Sequence, residues 1–253
     1  MPSVSTPAIL LSTLRYGETS KVVRLATRDH GVLSAIAKGA LRPRSRFGAA
    51  LQPLSSGVAH LVMHEHRDLH LLTGFDLTRL RVSLAGDLSR FAAAGVLAEV
   101  MQRFGHPEPH PRSADLLEGA LTLLEDAPAE AVEPLALRML WRLVSVLGFA
   151  PTLGQCARDG APVDPEGPLP FSAQDGGALC ASCAARHAAT RLPPDARQGL
   201  ADLIDPAAPL PDFDPPHAAA HRRLLARYVQ YHLAEGAELP ALRFWERATW
   251  GPA

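Results

Sequence analysis

Short apolar runs broken by turn residues dominate the first 75 positions of the chain. They predict strands at residues 7–14, 20–28, 32–38, 57–66 and 69–76. No helix long enough for a βαβ crossover separates them. Since closing a barrel removes exposed strand edges, the pattern favours a five-stranded β-barrel of the OB type, with an SH3-like barrel as the alternative.

From residue 83 onward the hydrophobic period changes to that of helices. A first helix ending near Gly105 is predicted to place these residues on its buried face: Leu84, Leu88, Phe91, Gly95, Ala98 and Met101. Ser113 is predicted to cap a second helix, whose inward residues are Leu116, Leu117, Ala120, Leu123 and Leu124. A third helix has Pro134 in its first turn and stops at Gly148.

Residues 150–178 lack periodicity and are rich in Pro, Gly and Asp. A long loop of this kind in a compact domain needs something to hold it. Helical patterning returns at 195–204 and 217–235, and the second segment places Leu224, Leu225, Tyr228 and His232 on one face. The tail carries Leu242, Phe244, Trp245 and Trp250, which either pack back on the body or form a partner surface.

The net charge of −1 conceals a strong asymmetry. Residues 1–81 carry 11 Lys and Arg against 5 Asp and Glu, whereas residues 82–253 carry 14 against 21. Four cations without an intervening acid fall within nine residues, namely Lys38, Arg42, Arg44 and Arg46. Gly39, Pro43 and Gly48 place them on a loop. Such a cluster attracts an external anion, most commonly a phosphate backbone, although a solvated basic loop is the simpler alternative.

Three further cations could extend this basic patch: Arg15, Lys21 and Arg24, near or within the first two strands. Tyr16 and Phe47 are the aromatic residues beside the loop. Because stacking usually accompanies the binding of single strands, so few aromatic residues predict that phosphate contacts dominate.

The cysteines suggest a metal site. Cys180 and Cys183 form a CxxC pair, and Cys156 and Asp159 have the same spacing upstream. Two such turns can surround Zn²⁺ as a tetrahedron. Asp159 stands where a fourth cysteine would normally be, and His187 is the competing fourth ligand. Alternatively, the cysteines are small buried apolar residues without metal. Only three cysteines also favour a reducing cytoplasm.

Enzyme signatures are mostly absent. The sequence has no GxxxxGK[ST], GxGxxG or GxSxG motif, and no HxE precedes the CxxC pair. A zinc-dependent hydrolase using His64, His66 or Asp159 is a minority alternative, and a scaffold protein whose acidic helical part binds a basic partner is another. No secretory signal is visible, and no apolar run long enough to span a membrane is present.

The chain resembles the RecO recombination mediator family of bacteria. The resemblance rests on Tyr16-Gly-Glu-Thr-Ser20, Gly31 with Ala37-Lys-Gly39, and Ala50-Leu-Gln-Pro53. It continues in Pro151-x-Leu-x-x-Cys156 and in Phe171 followed by Gly176-Gly-x-x-Cys180-x-x-Cys183. Asp159 departs from the family's four-cysteine zinc module, and some members of the family lack the cysteines.

The resemblance implies an α+β, multidomain protein without ATPase activity. Its parts are an OB-fold at 1–81, a helical domain at 82–149 and 191–253, and a zinc-finger-like module at 150–190 with structural Zn²⁺. It implies binding of single- and double-stranded DNA, annealing of complementary strands, and loading of recombinase onto protein-coated single strands. The implied partners are RecR, RecF and the acidic tail of single-strand-binding protein, in the cytoplasm at the nucleoid.

Overall fold

The computed structural model of the protein describes residues 2–64, 67–234 and 236–247. Two compact units divide the chain, Met1–Asp126 and Ala127–Ala253. Within the described residues, no helix is both long and apolar enough to cross a membrane.

A closed five-stranded barrel forms the first part of the first unit. Its strands are β1 (Ser3–Tyr16), β2 (Ser20–Thr27), β3 (Gly31–Ala37), β4 (Ser56–Val62) and β5 (Leu69–Arg79). They follow one another around the barrel as β1-β2-β3-β5-β4, and β4 pairs with β1 to close it. Only the β3–β5 pairing is parallel among these strands. The predicted OB-type barrel is confirmed, while residues 65 and 66 of the fourth predicted strand lie outside the described residues.

Strand β1 is long enough to serve two neighbours. Its first half pairs with β4 and its second half with β2, and the register shifts between Leu10 and Ser12. The bulge matters because an extra residue bends a strand and increases its twist, which a small closed barrel requires. Val23, Leu25, Ala35 and Leu72 from the other strands are fully buried in the barrel core.

Three helices follow the barrel in the same unit: α1 (Val82–Gly86), α2 (Leu88–Phe104) and α3 (Pro111–Asp126). The prediction of one continuous helix from residue 83 was wrong because Asp87 interrupts it. Asp87 is extended, and its carboxylate accepts a hydrogen bond from the backbone N–H of Arg90 at 2.9 Å, which caps α2. The helical phase restarts there, so Leu88 and Phe91 are exposed rather than buried.

Two details of α3 also differ from the prediction. Ser113 is not the N-cap, because it lies inside the first turn and its hydroxyl donates to the carbonyl of His110 at 3.0 Å. Leu123 is 48% exposed, whereas Leu117, Ala120 and Leu124 are buried as expected.

A buried arginine joins α3 to the barrel. The Arg81 side chain is fully buried and donates to Glu118 on α3 at 2.5 Å and to the carbonyl of Leu54 at 2.8 Å. Leu54 is the one described non-glycine residue with a positive φ, +70°. Its backbone N–H donates to the carbonyl of Leu10 at 2.7 Å, so two hydrogen bonds hold this strained residue where the loop after β3 returns to β4.

The second unit combines helices with a small sheet. Its helices are α4 (Val132–Val146), α5 (Ala181–Ala184), α6 (Pro194–Ile204), α7 (Pro215–His232) and α8 (Pro240–Arg247). A 3-10 turn at Ala129–Ala131 precedes α4, so Pro134 lies in the first turn as predicted. Gly148, with φ +100°, follows the end of α4. The strands β6 (Leu169–Ser172), β7 (Gly177–Ala178) and β8 (Thr190–Leu192) pair in the order β7-β6-β8.

Aromatic packing on α7 forms the centre of the second unit. The ring of Tyr228 lies 5.0 Å from that of Trp141 on α4 and 6.1 Å from that of Phe171 on β6. In the tail, Leu242 and Trp245 are buried, but Phe244 is 46% exposed. Trp250 lies outside the described residues.

His221 on α7 is 3% exposed and stacks on Phe213 with ring centroids 4.5 Å apart. Within the described residues, neither ring nitrogen has a hydrogen-bond partner. Burial lowers the pKa of His221 from 6.5 to about 4. The neutral ring is therefore the form that the fold accommodates.

We expect the Arg81–Glu118 pair to contribute far more to stability than the exposed pair Arg28–Asp115, which also joins α3 to the barrel. Replacing Arg81 by Ala leaves the Leu54 carbonyl without this donor and Glu118 without its charge partner, although the Ser56 hydroxyl still donates to Glu118; it should lower the free energy of unfolding by about 2 kcal/mol. Arg28→Ala, the control, should cost under about 1 kcal/mol. Urea denaturation measures both; equal costs would contradict the assignment.

We expect His221 to make stability depend on pH. The pKa of His221 is lower in the folded protein than in the unfolded chain, so the unfolded chain binds the proton more readily. The free energy of unfolding should therefore be highest above pH 6.5 and should fall by on the order of 3 kcal/mol as the pH decreases from 6.5 towards 4. His221→Phe should remove this part of the pH dependence in urea titrations between pH 7 and 4.5. His30→Gln, in the first unit, is the control. An unchanged pH profile in the His221 variant would contradict the expectation.

Candidate nucleic-acid interface and metal centre

The loop between β3 and β4 covers one end of the barrel. Four of its apolar residues belong to the barrel core: Ala40, Phe47, Ala50 and Leu51. Successive turns shape it, with backbone hydrogen bonds from Arg42 to Gly39, from Ser45 to Arg42, and from Gly48 to Ser45 at 3.0–3.2 Å. Gly39 and Gly48 adopt φ of +73° and +51°, which a glycine adopts without strain. The loop is therefore held against the end of the barrel by its buried apolar residues and its turns.

The cations of this loop point away from the core. Lys38, Arg42, Arg44 and Arg46 are all exposed. In the part of the chain that the structure describes, none of them forms an ion pair or donates a side-chain hydrogen bond, although the Arg46 guanidinium lies 5.4 Å from the ring of Phe47. Arg79 and Arg81, at the end of β5 and just after it, differ because they are paired with carboxylates. The positive charge of the loop thus remains unneutralised.

Two of the additional predicted cations lie at the same end of the barrel. Arg15 on β1 and Lys21 on β2 are directly opposite each other. The Lys21 ammonium donates to the carbonyl of Leu51 in the loop at 3.3 Å, and the N–H of Leu41 donates to the carbonyl of Thr19 in the β1–β2 turn at 2.9 Å. The structure therefore brings Arg15 and Lys21 to the edge of the basic loop.

Arg24 occupies a different surface. It lies on the outer face of β2, half-buried, and donates to Ser34 on β3 at 3.0 Å. Burial lowers its pKa, and the nearby Asp68 acts in the opposite direction. Of the two aromatic residues beside the loop, Phe47 is 3% exposed and belongs to the core, whereas Tyr16 is 57% exposed. Phe47 is therefore structural, and Tyr16 is available for contact.

The first cysteine turn of the second unit spans residues 156–161. The N–H of Cys156 donates to the carbonyl of Ala161 at 2.8 Å, and the N–H of Gly160 donates back to Cys156 at 2.9 Å. Gly160 has φ +72°. The Asp159 carboxylate accepts from the N–H of Ala161 at 3.0 Å, which fixes its direction.

The second turn precedes and includes α5. Cys180 immediately precedes α5 and Cys183 lies within it, one helical turn along. The turn before it needs glycine: Gly177 has φ +155°, and a Cβ there would lie 2.1 Å from the carbonyl oxygen of Thr152. Glycine at 177 thus allows the backbone before Cys180 to approach the backbone at Thr152, just upstream of Cys156.

Cys156, Asp159, Cys180 and Cys183 form one cluster whose ligand atoms all lie within 4.8 Å of one another. Asp159 Oδ2 is 3.5 Å from Cys180 Sγ and 3.2 Å from Cys183 Sγ. A tetrahedral Zn²⁺ with bonds of about 2.3 Å to sulfur and 2.0 Å to oxygen needs separations of about 3.5–3.8 Å. The two Asp159 distances lie near these values, so the chemistry and spacing of the four residues are compatible with a zinc ion.

The protonation of the cluster also suits a cation. A hydrogen bond from the Cys156 thiol is the main reason why the pKa of Asp159 lies well below its usual range. The hydrogen bond that the Cys183 thiol donates to Asp159 in turn raises the pKa of Cys183 to about 12, while the hydrogen bond with the Ser182 hydroxyl lowers the pKa of Cys180. A divalent cation would replace the thiol protons that this carboxylate attracts.

The competing predicted ligands are placed differently. His187 is not part of the four-residue cluster that the described residues form, although its N–H donates to the carbonyl of Cys183. His64 lies near His70, whose Nδ1 accepts from the His64 N–H at 3.1 Å. His64 belongs to no group of potential metal ligands among the described residues, and His66 lies outside the described residues.

The barrel also has an outward-facing apolar row that the sequence patterns above do not predict, formed by Leu14, Val22, Ile36 and Leu71. A signal for it exists. The pairs Val22-Val23 and Ala35-Ile36 are apolar at both parities, which places one member of each pair outside a barrel whose core takes the other.

Comparison with known proteins agrees with this architecture. The family models described as Recombination protein O N terminal and Recombination protein O C terminal match residues 1–81 and 85–240. A protein named DNA repair protein RecO from Anaeromyxobacter sp. (strain K) is 36% identical over 252 residues, covering 96% of each chain. The protein of that name from Anaeromyxobacter dehalogenans (strain 2CP-1 / ATCC BAA-258) is 36% identical over 244 residues, covering 93% of each.

These matches extend over the barrel, the helices and the cysteine cluster alike. They are to a family of DNA repair mediators and not of catalytic enzymes, so the hydrolase alternative is not supported. With both family models matched in order and the relatives covered almost end to end, the chain belongs to the RecO family of DNA repair proteins.

Proposed function

We propose that the protein binds single- and double-stranded DNA through the basic end of its barrel, anneals complementary strands, and helps load recombinase onto protein-coated single strands. The observation that carries the proposal is the exposed, unneutralised cluster Lys38, Arg42, Arg44 and Arg46 on an anchored loop. A fixed group of guanidinium ions suits repeated phosphates, because binding releases the counterions that DNA holds. The family's role in DNA repair supports the same ligand.

Annealing follows from the same contacts. Two complementary strands repel each other through their phosphates, and a protein that neutralises the backbone while leaving base edges free lowers that barrier. Arg15 and Lys21 would extend the neutralised length along the barrel edge. Loading of recombinase needs partners, for which we propose RecR, with RecF and single-strand-binding protein as further ones. The cytoplasm at the nucleoid is the corresponding location.

We further propose that Cys156, Asp159, Cys180 and Cys183 hold a structural Zn²⁺. The cluster lies in the same unit as α7, and the chain segments on either side of Cys156 form hydrogen bonds with that helix. The Tyr228 hydroxyl donates to the carbonyl of Phe149 at 3.2 Å, and His232 bonds the carbonyl of Ala173 at 2.6 Å. Burial raises the pKa of Tyr228 to about 12, so the hydroxyl stays a donor. The metal would thus brace the small sheet against the helices without entering a reaction.

We expect the triple variant Arg42/Arg44/Arg46→Ala to bind a labelled 30-nucleotide oligonucleotide about 10-fold or more weakly at about 0.1 M salt. Each lost phosphate contact removes about 0.7 from the slope of log K against log salt, so the slope should become shallower by about 2. Fluorescence anisotropy in a salt series measures both quantities.

The matched control removes three exposed arginines elsewhere, Arg103/Arg112/Arg191→Ala. It should leave the salt slope within error of wild type. Equal binding and equal slopes for wild type and the loop variant would refute the DNA-binding proposal for this loop.

We expect the protein purified without chelator to contain about one zinc per chain by elemental analysis. Asp159→Ala should lose the metal to a chelator fastest, and Asp159→Cys should retain it longest, because a thiolate is the softer ligand. His187→Ala is the control and should behave as wild type. Zinc near zero in the wild-type protein would refute the site, and faster loss from the His187 variant than from Asp159→Ala would reassign the fourth ligand.

A further inference from the structure

Every cysteine of the chain lies in the metal cluster. The sequence has three, Cys156, Cys180 and Cys183, and all are free thiols whose sulfur atoms lie within 4.8 Å of one another. Thiols held this closely can bind one cation together, or two of them can bond to each other after oxidation. Since only a thiolate is a ligand, a sulfur in a disulfide no longer holds the metal. The cluster therefore has two chemical states that exclude each other.

Two of the thiols are placed to bond to each other. Cys180 immediately precedes α5, and Cys183 lies in the first turn of that helix. Residues three positions apart on a helical turn have Cα atoms about 5 Å apart, inside the range of about 4.4–6.8 Å that a disulfide spans. Cys156 lies on a separate segment, whose distance is fixed by the hydrogen bond from the N–H of Ala157 to the carbonyl of Ala178 at 2.8 Å. A disulfide between Cys180 and Cys183 thus needs the least movement of the backbone.

The fourth residue of the cluster is the weakest ligand and the most exposed one. Asp159 is exposed, whereas the three cysteines are buried. A carboxylate oxygen binds Zn²⁺ less tightly than a thiolate does, and water competes for a ligand position that is open to solvent. The thiolates of this cluster would therefore lose their metal, and become reactive, sooner than those of a site with four cysteines.

Cys180 is the thiol nearest to solvent. Its exposed fraction is 8%, against 4% for Cys183 and 2% for Cys156. The Cys180 sulfur lies 3.0 Å from the hydroxyl of Ser182, which is an exposed residue. An oxidant only slightly larger than water, such as hydrogen peroxide, therefore meets Cys180 first.

We infer that Cys180 and Cys183 are a peroxide-reactive pair whose oxidation to a disulfide displaces the metal. The inference rests on the Zn²⁺ site proposed above. The Cys180 thiolate attacks one oxygen of the peroxide, the O–O bond breaks, and hydroxide leaves as Cys180 becomes a sulfenic acid. The Cys183 thiolate then attacks the sulfenic sulfur, the S–S bond forms, and a second hydroxide leaves. Two protons from solvent turn both hydroxides into water, so two thiolates lose two electrons to one peroxide.

Loss of the metal would reach the β6–β7 turn through Arg158. This residue lies in the first cysteine turn, and its guanidinium donates to the Asp175 carboxylate at 2.6 Å. Asp175 also accepts from the Ser172 hydroxyl at 2.7 Å, which holds the β6–β7 turn. Without the metal the first cysteine turn is held less firmly, and so is the turn that Arg158 contacts. Oxidation thus produces a locally looser form of the second unit.

The test treats the reduced, zinc-loaded full chain with hydrogen peroxide and follows two quantities. A colorimetric chelator reports released zinc, and alkylation with mass spectrometry counts the free thiols. Wild type should release its zinc as the free thiols fall from three per chain to one. The remaining thiol should be Cys156, and the peptide that contains Cys180 and Cys183 should carry the disulfide.

Variants separate the pair from the other ligands. Asp159→Cys supplies a fourth thiolate and should release zinc about 10-fold more slowly at the same peroxide concentration. Asp212→Cys adds an exposed thiol elsewhere in the second unit, and as the matched control it should release zinc at the wild-type rate. Cys156→Ser retains the pair and should form the disulfide at least as fast as wild type. Cys183→Ser should stop at the sulfenic acid of Cys180, which a sulfenic-acid-specific probe labels.

Three results would overturn the inference alone: zinc and thiols that stay unchanged under peroxide, a disulfide that includes Cys156, or an Asp159→Cys variant that releases zinc as fast as wild type. The zinc content of the reduced protein is read before peroxide is added. If it is near zero, the proposed metal site itself fails, and this inference fails with it.

Discussion

Closure of the barrel is the constraint on which the candidate interface depends. Strand β3 pairs with β5 in parallel, and β4 lies between β5 and β1, so the chain cannot pass from β3 to β4 by a tight hairpin. Residues 38–55 must cross the barrel end instead. The open end exposes the core, and Phe47 and Leu51 cover it. Because these apolar side chains point into the core, the polar residues between them face the solvent. The cations of the loop therefore form one exposed cluster.

Hydrogen bonds also fix the end of this loop, where the chain enters β4. Leu54 adopts a left-handed conformation that costs a leucine energy, and Arg81 and the carbonyl of Leu10 compensate with hydrogen bonds to its backbone. Arg81 is neutralised by Glu118 on α3. The helix therefore contributes to the shape of the basic loop through its ion pair with the buried Arg81, although it carries none of the loop's residues. This link joins α3 to the barrel within the first compact unit.

Features that depend on a local sequence pattern could be predicted from the sequence. Features that depend on the exact start of a helix, or on contacts between residues far apart in the chain, could not. Alternation gave five strands and the barrel, and the spacing of Cys156, Asp159, Cys180 and Cys183 brought out a cluster that the structure confirms as a compact set. The predicted burial of Leu88 and Phe91 is wrong because Asp87 caps a new helix and restarts the helical phase there. The Arg81–Glu118 pair joins residues far apart in the chain, and no periodicity reports such a contact. The sequence names Phe47 only as an aromatic residue beside the loop, because nothing local distinguishes a ring that is buried in the core from an exposed one.

The outward direction of the loop cations limits what the proposed function can demand of them. Under that proposal Lys38, Arg42, Arg44 and Arg46 would contact phosphates and leave the base edges free, because the apolar residues of the same loop are directed into the barrel core. Phosphate contacts carry no sequence information. The loop would therefore reduce the repulsion between two complementary strands without reading either of them, which suits a mediator that must release the duplex it forms.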